Sequence, residues 1–257
     1  MSKPLVVAAH QPNFMPYLGF FDKMNQCDIF VIRDECLYVK DDYHRRNRIR
    51  INGQNNETNP QFAWLSVPAI DSHDYIKHIQ IKDGPVIKGR NWKQNLIHEI
   101  SAQYQTAPHF QEYFPEFKRI VENSSSSLID FNMQIIRFLS KVFGIEKQIV
   151  FASELGLKPS HYSESDGDAS EDLVAICKKL GASVYLSGSG GRGYLNLTPF
   201  EREGIEVRYQ DYSHPSYKQS FAGFIPNMAA IDALFCEGKM PVSELVLIGG
   251  QHDRTAA

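Results

Sequence analysis

Leu5-Val6-Val7-Ala8-Ala9-His10-Gln11-Pro12-Asn13-Phe14-Met15-Pro16-Tyr17-Leu18-Gly19, read on to Cys27-Asp28-Ile29-Phe30-Val31-Ile32, decides the fold. Leu5 to Ala9 is a continuous apolar run, the pattern of a strand covered on both faces within a parallel sheet. Pro12 and Pro16 each fix φ and withhold an amide donor, so the chain must turn irregularly after His10. From Tyr17 to Asn25 the apolar positions Leu18, Phe20, Phe21 and Met24 fall at helical spacing, and the run from Cys27 to Val31 resumes a strand. A β-loop-α-β order in so short a span calls for a right-handed crossover and a parallel pair, with ligands expected beyond the carboxyl end of the first strand. His10 sits at that end. Asp34 takes the matching place after the second strand, and the expectation is that both face one crevice.

Outward from this stretch, Tyr43 to Ile51 and Phe62 to Pro68 read as two strands joined by a long polar loop that contains the turn signal Asn52-Gly53. Helices are expected over Asn91 to Tyr104, with Trp92, Leu96, Ile97 and Ile100 as the buried stripe, and over Tyr113 to Glu122. A third runs from Leu128 to Phe143, capped near Ser127 and ended by Gly144. Ile149 to Ala152 is a short strand, Glu171 to Leu180 a helix closed at Gly181, and Ser183 to Leu186 a strand. The polar stretch Lys158 to Ala169 reads as a lid or a plain excursion. The whole is expected to be one α/β domain over residues 1–257. It has a mainly parallel, Rossmann-like sheet flanked by helices, of the nucleotidyltransferase or adenylyl-synthetase type, and a helical middle insertion over residues 85–145.

The 257 residues are 42% hydrophobic and 22% charged, with a formal net charge of -3, which excludes a disordered chain and a globally basic nucleic-acid binder. No apolar run reaches the length of a membrane span, and the start is too short for a secretory leader, so a cytoplasmic location is expected. The four cysteines, Cys27, Cys36, Cys177 and Cys236, have no metal-ligand spacing and read as packed, reduced thiols.

Chemistry is suggested at two strand ends. Ser187-Gly188-Ser189-Gly190-Gly191-Arg192-Gly193-Tyr194 follows a strand, so its backbone N–H groups can approach an anion, although it matches neither a Walker A loop nor the dinucleotide fingerprint. His10 is flanked by Gln11 and Asn13, whose amides both donate and accept. Arg45, Arg46 and Arg48 offer forked donors for phosphate or carboxylate, or else form a solvated strand face. Further on, His214-Pro215-Ser216-Tyr217-Lys218-Gln219 precedes an aromatic stretch able to line a pocket or pack an edge loop. Asp232 lies in an apolar helical run, where an acid must be paired or act as a cap. No GxSxG or HExxH motif is present, and His73, Asp74 and His78 read as exposed rather than metal-binding, so no metal site is expected.

Taken together, these stretches resemble the WbqC-like protein family found in bacterial surface-polysaccharide gene clusters. The resemblance runs from His10-Gln11-Pro12-Asn13 and Pro16-Tyr17-Leu18-Gly19 through Asp34, Arg46-Asn47 and Tyr185-Leu186-Ser187-Gly188 to His214-Pro215-Ser216-Tyr217-Lys218-Gln219 and Ile231-Asp232. The family's Asp-Leu-Leu-Phe-Asn stands here as Asp232-Ala233-Leu234-Phe235-Cys236. The resemblance implies transfer of glycine to an amino sugar in O-antigen synthesis. On that footing His10, Asp34 and His214 are the candidate catalytic residues. Gln11, Asn13, Tyr17, Arg46, Asn47, Ser187, Gly188, Gly190, Gly191, Tyr194, Tyr217, Gln219 and Asp232 are candidate ligand-binding residues. The partners implied are a nucleotide-activated amino sugar and an acyl donor, either activated by ATP with Mg or delivered on tRNA or a carrier. The rival readings are a non-catalytic nucleotide-sugar-binding subunit and a glycosyltransferase using Asp41-Asp42 or Asp166-Gly167-Asp168.

Overall fold

The apolar run at the N-terminus becomes the central strand of a parallel sheet. The computed structural model describes residues 3–53, 57–70, 72–84, 86–157 and 169–239. In chain order these form β1 (Val6–His10), α1 (Leu18–Asn25), β2 (Ile29–Ile32), β3 (Arg46–Ile51), β4 (Gln61–Ser66), α2 (Trp92–Tyr104), α3 (Phe110–Glu122), α4 (Leu128–Val142), β5 (Gln148–Phe151), α5 (Ser170–Leu180), β6 (Val184–Ser187), α6 (Thr198–Arg202), β7 (Glu206–Tyr209) and α7 (Ala230–Glu237). The described residues within 1–11, 22–36 and 146–212 form one compact unit, and those within 12–21, 37–145 and 213–257 a second. The lid reading of Lys158 to Ala169 falls, except for Ala169, outside the described residues, as does Asp166-Gly167-Asp168. No helix among the described residues is long and apolar enough to cross a membrane.

The first unit holds a five-stranded sheet in the order β5-β2-β1-β6-β7, with every neighbouring pair parallel. This is the Rossmann-like α/β arrangement that the opening pattern calls for. One sheet face carries Val7, Ala9, Ile29, Val31 and Tyr185 into a core closed by Leu173, Val174, Ile176 and Cys177 of α5 and by Phe200 of α6. Helix α5 ends where Gly181 takes φ 70°, a left-handed turn that costs glycine little.

The second unit contains the antiparallel pair β3 and β4 with helices α2, α3, α4 and α7. Helix α2 begins with a capping box in which Asn91 and Gln94 exchange side-chain and backbone bonds. Ser127 caps α4, and the helix stops one residue before Phe143, with Gly144 at φ 68°. Helix α3 starts at Phe110, three residues before the Tyr113 that periodicity suggests, and it runs through Pro115. Phe110 stacks on Phe114 at 4.3 Å and meets the edge of Phe235 at 5.2 Å. That packing supports an early first turn although Pro115 forfeits one backbone bond. Trp92 and Ile97 of α2 are only half-buried, whereas Leu96 and Ile100 are buried.

Candidate functional site

The sheet order places a reversal between β1 and β6. From β1 the chain crosses to β2 and then β5 on one side, and it returns to β6 on the other side of β1. Crevices at such a reversal, beyond the carboxyl ends of the strands, are where open α/β sheets receive ligands. His10 ends β1 and Ser187 ends β6, so the two motif-bearing loops leave the sheet side by side. The His10 ring Nδ1 lies 3.0 Å from the Gln11 carbonyl oxygen. A carbonyl only accepts, so Nδ1 carries the proton and the lone pair of the neutral ring is on Nε2.

The ladder between these strands ends in an unusual way. Val184 N–H donates to the Leu5 carbonyl at 3.2 Å, and the register runs from Val6 opposite Val184 to Ala8 opposite Leu186. Continuing in steps of two, the next rung would join Gly188 N–H to the Ala9 carbonyl. The Lys23 ammonium takes that carbonyl instead, at 2.8 Å. Lys23 is 5% exposed, and burial pushes its pKa down to about 8.

The glycine-rich segment folds as a 3₁₀ turn over Ser189–Gly193. Gly191 N–H bonds to the Gly188 carbonyl at 3.0 Å, and the N–H groups of Tyr194 and Leu195 go to the Gly191 carbonyl. Three of the amides in and just beyond the loop are therefore spent on its own shape. A Cβ on Gly191 would collide with Ser187 Oγ, whereas Gly190 and Gly193 face open space. Arg192 lies over the Tyr209 ring at 4.4 Å, and Tyr194 is exposed.

Asp34 is buried in the same unit, and both its oxygens are engaged: Ser153 donates its N–H at 2.9 Å and its hydroxyl at 2.5 Å. It thereby ties the loop after β2 to the turn after β5. Its neighbours add a charged cluster. Arg33 N–H bonds to the His10 carbonyl at 2.8 Å, and the Arg33 guanidinium pairs with Glu35 and, at 3.5 Å, with Asp172. Burial raises the Glu35 pKa, and its Oε2 is buried without a hydrogen-bond partner.

In the second unit the irregular turn after His10 is pinned by side-chain amides. Asn47 donates Nδ2 to the carbonyls of Phe14 (3.2 Å) and Met15 (2.6 Å), while its Oδ1 accepts from Arg48 N–H. Asn132 donates to Pro12 and His44 carbonyls at 2.8 and 2.7 Å. These bonds hold Met15 at φ 42°, a conformation that costs a non-glycine residue about 1–2 kcal/mol. Asn13 is buried, and the Tyr17 ring covers Gly19 so closely that a Cβ there would strike it.

A second cluster centres on Asp232, which has no solvent exposure. Tyr104 and Tyr217 hydroxyls donate to its two oxygens at 2.6 and 2.7 Å, and Gln219 Nε2 donates at 3.1 Å. Arg50 N–H in turn donates to the Tyr104 oxygen at 3.0 Å. The buried Arg50 guanidinium reaches the carbonyls of Gln61 and Ala222 at 2.6 and 2.8 Å. Burial raises the Asp232 pKa against the opposing pull of these donors and of the Arg50 charge. His214, among the rings of Tyr217 and Phe224, is pushed down to about 4 by burial.

A model of the WbqC-like protein family matches residues 11–244. The chain belongs to that family. It is 28% identical over 234 residues to the uncharacterized protein Rv1507c of Mycobacterium tuberculosis, a match covering 90% of this chain and 94% of the relative. No solved structure matches. Membership in the WbqC-like family suggests a role in processes related to surface polysaccharide.

Of the WbqC-like motif positions, the first unit brings together His10, Gln11, Asp34 and the Ser187, Gly188, Gly190, Gly191 and Tyr194 segment at strand ends of one sheet. The second unit gathers Tyr217, Gln219 and Asp232 into one network and sets Asn13, Tyr17 and Asn47 in the pinned turn. Arg46 stands apart on the β3 surface, bonded to Asp41 and lying over Trp64 at 4.6 Å. Among the described residues no three His, Cys, Asp or Glu side chains are grouped to hold a metal, and Asp74 meets His78 at 2.8 Å and accepts from Tyr75 N–H at 2.7 Å. Asp41 meets Arg45 and Arg46, and Asp42 accepts from Tyr43 N–H.

Three residues of consequence escape the sequence reading. Tyr104 and Arg50 complete the Asp232 network, and Lys23 occupies the end of the β1/β6 ladder. A lysine at the core-facing edge of the Leu18, Phe21 and Met24 stripe is the signal that could have revealed the last.

Proposed function

We propose that this WbqC-like protein binds a nucleotide-linked amino sugar in the crevice at the ends of β1 and β6 and acylates its amino group with a glycyl or related aminoacyl unit. The observation that carries the reading is the reversal of strand order at β1/β6, with His10 and the Ser187–Gly193 turn leaving the sheet there. In the ATP-dependent version the amino-acid carboxylate attacks the α-phosphorus, pyrophosphate leaves, and an acyl adenylate remains. The sugar amine then attacks the acyl carbon, AMP departs, and the amine proton passes to a base. His10 stabilises phosphate charge in this scheme as the imidazolium, whose Nε2–H donates to a phosphate oxygen while Nδ1–H stays on the Gln11 carbonyl. Mg, if it accompanies ATP, would offset the charge of the phosphates. A donor charged on tRNA or a carrier would need only the second step.

One observation favours the non-catalytic reading. The two proton acceptors implied by the family resemblance are poorly placed for that task, because Asp34 is engaged by Ser153 and His214 is held near 4. A binding subunit needs neither. The two readings part on His10→Ala. An acyltransferase loses turnover by about 10²-fold or more while nucleotide-sugar affinity changes little. The decisive assay incubates the protein with amino-sugar nucleotides, glycine and ATP and looks by mass spectrometry for a sugar heavier by one glycyl unit, alongside glycine-dependent pyrophosphate exchange. Neither product with any donor, together with retained nucleotide-sugar binding, establishes the binding subunit instead.

A further inference from the structure

Lys23 carries a buried charge that no carboxylate among the described residues answers. No carboxylate among the described residues forms an ion pair with it, and the adjacent Asp22 is engaged elsewhere, accepting from Gln26 at 2.6 Å and Gln210 at 2.5 Å. Burying an ammonium without a counter-charge is costly, and such groups persist where something else repays them. The Ala9 carbonyl uses one of the three donors of the ammonium. That carbonyl did not require a lysine, since one more ladder rung from Gly188 would have satisfied it.

The position of the charge explains the arrangement. Nζ sits where β1 and β6 part, at the strand-order reversal. Gly188 opens the space beside it: a Cβ built on Gly188 would meet only Lys23 Nζ, at 4.0 Å, and no other atom within that distance. A side chain there would fill the approach to the ammonium. Resting on the nucleotide reading above, we infer that Lys23 Nζ, framed by the Ala9 carbonyl and Gly188, is a phosphate subsite that receives the phosphate or diphosphate group of the bound nucleotide or nucleotide-sugar. The incoming dianion supplies the missing counter-charge, and the glycine keeps the path open.

The test titrates the full-length protein calorimetrically with pyrophosphate, ADP, UDP and glycine, in wild type, Lys23→Met and Gly188→Ala. Lys23→Met should weaken every phosphate-bearing probe that binds by tenfold or more, while the ligand-free Tm stays level or rises because a buried charge has been removed. Gly188→Ala should weaken the same probes with Lys23 intact, and it decides the matter if Lys23→Met proves too unstable to titrate. ADP or UDP binding unchanged by both substitutions overturns the subsite and leaves the nucleotide reading standing. Lys23-dependent binding of pyrophosphate without either nucleotide keeps the subsite and sinks the nucleotide reading. Binding of glycine alone overturns the phosphate assignment, and no binding of any probe overturns both.

Discussion

Three donors converge on the Asp232 carboxylate: if it were removed, the Tyr104 and Tyr217 hydroxyls would lose this acceptor, and the Gln219 amide would keep only the Ile225 carbonyl. The buried Arg50 guanidinium would also lose the nearest opposing charge. Breaking a buried charged network from one side typically costs about 3–5 kcal/mol, more than the net worth of its bonds. Asp232→Ala should therefore lower the free energy of unfolding in urea by about that amount. Asp232→Asn, which keeps one acceptor oxygen but turns an amide toward the Tyr104 hydroxyl, should lie between it and wild type. A loss below about 1 kcal/mol for the alanine variant would mean that Asp232 is not the hub of this network. The sequence offered only that an acid in an apolar helix must be paired or cap. Its partners, Tyr104 and Arg50, were illegible because the first lies 128 residues away and the second reads as one more arginine on a basic strand.

At the scale of elements, the turn after β6 depends on two residues fitting one space. Ser187 Oγ occupies the position that a Cβ at 191 would need. Gly191→Ala alone should cost about 1–3 kcal/mol as the turn shifts to relieve the overlap. Removing the hydroxyl first should absorb most of that penalty, so the Ser187→Ala/Gly191→Ala double variant should be more stable than Gly191→Ala alone. A coupling energy of about 0.5 kcal/mol or more in the thermodynamic cycle supports this account, and strict additivity contradicts it. Strands β1, β2 and β6 were readable because central parallel strands are apolar throughout. Strand β7 was missed: Glu206-Val207-Arg208-Tyr209 alternates exposed and half-buried residues at the sheet edge and resembles a polar loop. Helix α6, only five residues long, gives periodicity too little length to register. Both matter, because β7 completes the five-stranded order and Phe200 of α6 closes the core.

For the whole molecule, buried cationic groups set how stability follows pH. Surface pairs such as Glu116 with Arg119 and Glu206 with Arg208 are solvent-screened and contribute little. His214 falls from an ordinary 6.5 to about 4 on burial. Between those values the unfolded chain holds a proton that the folded chain does not, so stability is full above 6.5 and declines as pH falls toward 4. Lys23 has the same sign at the other end, dropping from 10.5 to about 8. Across that interval the folded form releases its proton first, so the contribution of Lys23 to ligand-free stability rises as pH climbs from about 8 to 10.5. The thiols of Cys27, Cys177 and Cys236, pushed up to about 12, and of Cys36, pushed to about 11, act in the opposite sense: above an ordinary 9.0 the unfolded chain ionises them and the folded chain does not, so they lower stability as pH rises and oppose Lys23. Urea unfolding from pH 4 to 10 should therefore show a rise on the acid side that His214→Asn flattens, and on the alkaline side a stability difference between wild type and Lys23→Met that grows in favour of wild type from about pH 8 upward. Saturating pyrophosphate should abolish that growth, since a phosphate beside the ammonium restores its proton and its charge partner together. A difference between wild type and Lys23→Met that stays constant above about pH 8 would detach Lys23 from the ligand-free energetics.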